Sequence, residues 1–125
     1  MNSTQRFVPI YTTHGEVEAF LVYPYIHNRN GEWIGWVTRN RQVYSVHGHY
    51  VGWLTDEPRV LRKQSTAHIK PRLTPPPPPG KIVVPAILPL APMMPELKIG
   101  TFDVLEDAPE LMPVLEFGES MDDID

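Results

Sequence analysis

A pattern of 16 to 17 residues, written three times between Ile10 and Thr55 and begun a fourth time at Val60, limits this chain more than any other feature. Ile10–Leu21, Ile26–Val37 and Val43–Leu54 align without a gap. Each copy opens on β-forming residues, carries His-Gly or Asn-Gly at its middle, and closes on a small residue, an aromatic and an aliphatic. A unit this short cannot supply a four-stranded propeller blade of about 40 residues, but it accommodates one β-hairpin. Units of that kind must gather in a stack or ring, because none buries its apolar face alone. The expected fold class is all-β: a small ring of three to four repeated β-hairpins, followed by an extended proline-rich, acidic tail with little regular structure.

Within each unit, Gly15, Gly31 and Gly48 mark the turns. Asn-Gly is the strongest signal for a two-residue type I′ turn, which needs positive φ at both central residues, and histidine before glycine is a weaker version. Two-residue turns are therefore expected at His14-Gly15, Asn30-Gly31 and His47-Gly48. Four residues beyond each glycine stand Ala19, Gly35 and Gly52, small residues at one repeated place, which suggests close backbone approach. Phe20, Trp36 and Trp53 follow, expected to fill the space between neighbouring hairpins and bury most of the apolar area.

The spacing Tyr-x-x-x-Gly-x-x-x-Gly-Trp from Tyr44 to Trp53, with close variants in the other two copies, resembles the bacterial four-fold beta flower domain family. The resemblance covers roughly residues 7–63. It implies an all-β ring of four hairpin petals, often followed by a proline-rich tail, with no catalytic activity and no motif residues to carry over. Gln64-Ser65-Thr66 stands where the fourth petal would have its glycine turn, so completion by other residues or by another chain stays open.

Charge divides the chain. Residues 1–70 hold eight Lys/Arg against five Asp/Glu, while residues 71–125 hold three against ten. All the Trp and Tyr fall in the first part, which is expected to hold the core. The expected organisation is a hairpin-repeat domain at 7–63, a proline-rich linker at 64–81 and an apolar, acidic partner-binding tail at 82–125. Pro75–Pro79 reads as a polyproline spacer of about 15 Å, and the prolines between Ile82 and Ile99 exclude a helix through that run. Phe102, Val104, Leu105, Leu111, Met112, Leu115 and Phe117, scattered among acids, resemble a linear segment that orders on a partner.

The chain has no cysteine, so disulfides and thiolate metal ligands are excluded and a reducing cytoplasm is the default location. The first residues lack an apolar signal core, and the run from Ile82 to Met94 is too short and proline-broken to span a bilayer. His47 and His49 have the spacing of a two-histidine clip, with His14, Glu16 and Glu32 as further ligands, but left-handed turn geometry explains the histidines more simply; no metal and no cofactor is expected. Glu16 and Glu32 are expected as solvated turn residues rather than an acid and base pair, and no catalytic motif is present, so no enzyme is expected. Trp33, Tyr23, Tyr25 and Tyr50 with Arg39 and Arg41 could stack single-stranded nucleic acid, yet the scattered arginines and overall negative charge make nucleic acid an unlikely partner. The leading expectation is a non-enzymatic assembly, linker or adaptor subunit bound to a protein partner or larger complex, with a homo-oligomer possible. A metal- or ligand-binding β module ranks second and a nucleic-acid binder third.

Overall fold

Three residues before each turn glycine stands a short polar side chain, Thr12, Asn28 or Ser45, and these residues set the loop geometry. In the computed structural model, which describes residues 6–115, each of the three accepts a hydrogen bond through its side chain from the backbone N–H four residues on. The same residue donates its own N–H to the carbonyl of that fourth residue, and its carbonyl accepts from the glycine N–H. The result is a type I turn followed by a left-handed glycine and a bulge, with φ of 89° at Gly15, 82° at Gly31 and 88° at Gly48. The two-residue type I′ turns expected from the sequence do not form. Arg41 is the one non-glycine with positive φ among the described residues, so His14, Asn30 and His47 need no left-handed tolerance. The polar side chain that holds the extra loop residue shifts the pairing register at Ile10/Tyr11, Ile26/His27 and Val43/Tyr44.

The strands are β1 (Val8–Tyr11), β2 (Val17–Val22), β3 (Tyr25–Asn28), β4 (Trp33–Val37), β5 (Gln42–Ser45), β6 (Tyr50–Leu54), β7 (Val60–Lys63) and β8 (Thr101–Asp103). They form one antiparallel sheet in sequential order, so the fold is all-β, with the four-residue helix α1 (Val104–Asp107) and two 3₁₀ turns the only helical elements among the described residues. The fourth petal is completed by this same chain. β8 pairs with β7 through Leu61↔Asp103, Arg62↔Phe102 and Lys63↔Thr101, and Gly100, with φ of 84°, lies at its tip. The sheet therefore extends beyond the 7–63 boundary expected for the repeat domain.

The curled sheet's two ends are tied by buried polar groups. Asp103 Oδ2 accepts from both the N–H and the hydroxyl of Thr13, each at 2.7 Å. Arg59, 2% exposed, donates to Thr13 Oγ1 at 3.1 Å and makes two bonds to Glu57 Oε2. The Tyr11 N–H reaches the Pro58 carbonyl at 2.9 Å. Burial raises the Glu57 carboxyl, but the hydrogen bonds from Arg59 and Thr55 and the Arg59 charge outweigh it, and its pKa is lowered from the ordinary 4.5. A carboxylate depressed in the folded state contributes stability that is complete above the unfolded pKa and is lost as pH falls through the folded value. Glu57→Gln, which leaves the buried Arg59 without its carboxylate, is therefore expected to lower the melting temperature at pH 7 and to flatten its fall below pH 4.5. Parallel acid profiles for the two proteins would exclude this role.

Adjacent strand residues face opposite ways, and the sheet's two faces have different cores. Ile10, Ala19, Ile26, Val43, Val51 and Val60 gather with Ile34, Val37 and Leu54 on the inner side. Phe20 and Trp36 lie elsewhere, Phe20 with Tyr11 and Val17, Trp36 with Trp33, Tyr44 and Val46. Phe20 and Trp36 thus belong to outer clusters and not to the inner core, because they follow the small inward residues by one position. Into the inner core come Val104 and Met112, with Phe102, Leu105 and Leu111 packed against it. The core is not confined to the first part of the chain, as charge and aromatic content suggest; the four-residue α1 and its flanks plug it.

Candidate docking surface

Between β7 and β8 the chain leaves the sheet and travels past the other three petals before returning. Its path is fixed at the turn glycines. The Leu73 N–H donates to the Gly48 carbonyl and the Ile82 N–H to the Gly31 carbonyl, both at 3.0 Å. A Cβ at Gly31 would lie 1.9 Å from the Ile82 oxygen, one at Gly48 2.0 Å from the Leu73 oxygen, and one at Gly15 3.5 Å from Ala91. Leu73, Ile82, Ala91 and the tip residue Gly100 are each nine residues apart, so the chain meets a petal tip every nine residues and visits the petals in reverse order. The glycines at Gly31 and Gly48 therefore serve twice, allowing positive φ and leaving room for the passing backbone. Residues 71–100 are a strap.

Further bonds fasten it. The Tyr25 hydroxyl donates to the Pro77 carbonyl at 2.7 Å, and Val84, Leu88, Ala91 and Met94 pack on the cluster around Phe20. From Leu88 onward burial alternates with a period of three. Leu88, Ala91, Met94 and Leu97 face the sheet, Pro89, Pro92 and Pro95 are exposed, and the third position carries Leu90, Met93, Glu96 and Ile99. Three residues per turn is the polyproline II period, and the prolines favour it. Its consequence is an outward row at Ile87, Leu90, Met93, Glu96 and Ile99, whose aliphatic members are 89%, 95%, 93% and 104% exposed; Val83, outside that phase, is 89% exposed beside it. From Ile82 to Pro95 there is no charged residue.

Within the partner-binding tail expected at 82–125, the sequence singles out other residues. Of the seven, Val104 and Met112 are core; Phe102, Leu105 and Leu111 pack against it; Leu115 joins the cluster around Trp36; Phe117 lies outside the described residues. Their acidic neighbours gave the segment a disordered look, but Asp103 and Glu106 are used internally, Asp103 on Thr13 and as the cap of α1, Glu106 in an ion pair with His14. The row at 87–99 was legible only through its three-residue alternation, which the scattered prolines disguise.

Several of the remaining candidates have structural partners, whereas Tyr23 is 60% exposed. His27 is buried, donating from Nδ1 to the Gly31 carbonyl, and burial lowers its pKa despite that bond. Glu32 accepts from Asn28 Nδ2 at 3.0 Å. Trp33 is 7% exposed with its indole N–H on the Gly35 carbonyl, so its ring is not available for base stacking. Gly35 and Gly52 lie against backbone, with the Tyr44 oxygen 2.7 Å and the Leu61 oxygen 1.9 Å from a built Cβ. Ala19 is fully buried in the inner core, and Trp53 is half-buried. Among the described residues no helix is long and apolar enough to cross a membrane, and no group of three or more His, Asp or Glu is placed to hold a metal ion.

No curated protein and no solved structure matches the chain. A family model described as "4-fold beta flower protein" matches residues 8–102, a span that takes in all three glycine-turned petals, the strap and most of β8. The chain belongs to the 4-fold beta flower family.

Proposed function

We propose that this protein is a non-enzymatic assembly or adaptor subunit of the cytoplasm that docks to a protein surface along the outer edge of its strap. The observation that carries this reading is the row Ile87, Leu90, Met93 and Ile99 with Val83 beside it, side chains 89% to 104% exposed while the strap beneath them is fastened at the petal tips. Monomeric proteins rarely leave so many large aliphatic groups in water on one short segment, and such segments usually mark a contact face. The strap suits the task because its backbone is already ordered, which lowers the entropy cost of binding.

The test is co-purification from the native host with tagged wild-type protein and a tagged Leu90→Glu/Met93→Glu variant. Both side chains are solvent-exposed, so the variant should melt within a few degrees of wild type. The expected result is that protein captured by the wild type is absent from the variant. Identical sets of captured proteins would refute the strap as the docking element.

A further inference from the structure

We infer that the surface docked on this row is the same row of a second copy, the two straps lying antiparallel across a twofold axis near Leu90. This rests on the reading of the row as a docking face and names its occupant. Three features of the strap point to a second copy.

Spacing is the first. Ile87, Leu90 and Met93 recur every three residues, which in polyproline II geometry sets them about 9 Å apart. A knob seated midway between two neighbours would then lie about 4.5 Å from each along the strap, the distance of apolar contact. A comb with teeth and gaps of equal width fits another comb of the same pitch, and an identical strap has that pitch. The second feature is charge. Residues 82–95 carry none, so two copies meet along that stretch, which holds Ile87, Leu90 and Met93, without like-charge repulsion.

Area is the third. Burying five aliphatic side chains, at roughly 100 Å² of apolar surface each, removes about 500 Å² per copy. Stable pairs bury about 800 Å² per partner. The exposed Pro89, Pro92 and Pro95 flank the row and supply further surface within the same strip. A twofold arrangement is also the commonest way for a self-complementary patch to close on itself.

The test uses the full-length chain in two measurements. Light scattering on a sizing column should give a dimer mass at about 50 µM for wild type and a monomer mass for Leu90→Glu, both with cooperative melting. Because the chain has no cysteine, Leu90→Cys and Ile99→Cys each introduce a single thiol. A short bismaleimide should join two Leu90→Cys chains and leave Ile99→Cys largely unjoined, since an axis just beyond Leu90, which seats each knob in a gap, sets the two copies of residue 90 about 4.5 Å apart along the straps and the two copies of residue 99 about 16 residues apart. Equal crosslinking at both positions, or a dimer that persists in Leu90→Glu, overturns the antiparallel arrangement. A wild-type monomer that still captures another host protein through the row overturns the second copy but leaves the docking role. A monomer whose captured proteins are indifferent to Leu90→Glu/Met93→Glu sinks both.

Discussion

A chain ended at Lys70 is expected to show no cooperative unfolding transition, although it keeps every glycine-turned repeat. The truncation removes β8, leaving β7 without a partner on one side. It removes Asp103, so the N–H and hydroxyl of Thr13 lose the carboxylate they both bond. It also removes Val104, fully buried, and Met112, 4% exposed, from the inner core. Losing a large core side chain costs about 2–5 kcal/mol, so these two alone account for roughly 4–10 kcal/mol. Domains of this size have only about 5–15 kcal/mol in total. The strap goes too, baring the clusters around Phe20 and Tyr25. Urea titration followed by far-ultraviolet circular dichroism checks this. A transition matching that of the full-length chain would mean that the petals close without the fourth one's second strand.

That expectation differs from the one the sequence alone encourages, and the reason is physical. The repeat was legible because three copies share a turn glycine, a small residue and an aromatic in fixed register, and a period of that length admits a hairpin and little else. The family resemblance followed from the same residues. Asn-Gly by itself points to a two-residue turn, whereas Thr12, Asn28 and Ser45, three positions before each glycine, hold a longer loop through their side chains. Those residues were visible in the alignment of the copies. The strap was not legible in the same way. Its contacts join residues such as Ile82 and Gly31 across about fifty positions, and the signal is a nine-residue recurrence at unlike residues, Leu73, Ile82 and Ala91. Within the 82–125 tail, residues 102–117 stand out as docking residues because apolar residues among acids look unsheltered. Pairing with β7 and capping by Asp103 instead turn their apolar side inward. What remains in water is the outward third of the strap, a face that exists only once the inward third is seated.

Gly52→Val is expected to be the most damaging single substitution in the ring, and it separates close approach from turn strain. A Cβ at Gly52 would lie 1.9 Å from the Leu61 carbonyl oxygen and 2.9 Å from its carbon. Both atoms are backbone of β7, paired to β6 through Trp53↔Leu61, so no side-chain rotation relieves the clash and the strands must part. Overpacking typically costs 1–3 kcal/mol and here, against backbone, should reach about 3 kcal/mol. At roughly 4 °C per kcal/mol that lowers the melting temperature by about 12 °C. Gly31→Ala should follow, since it combines a φ of 82° with a Cβ 1.9 Å from the Ile82 oxygen, and there the strap can lift away. Gly15→Ala meets only Ala91 at 3.5 Å and should cost about 1 kcal/mol, from left-handed strain alone. Glu32→Ala, which forfeits one half-exposed hydrogen bond to Asn28, should stay within about 0.5 kcal/mol. Thermal melts of the four variants give the order directly. Equal melting temperatures for Gly52→Val and Glu32→Ala would mean that β6 and β7 do not approach as closely as the ring requires.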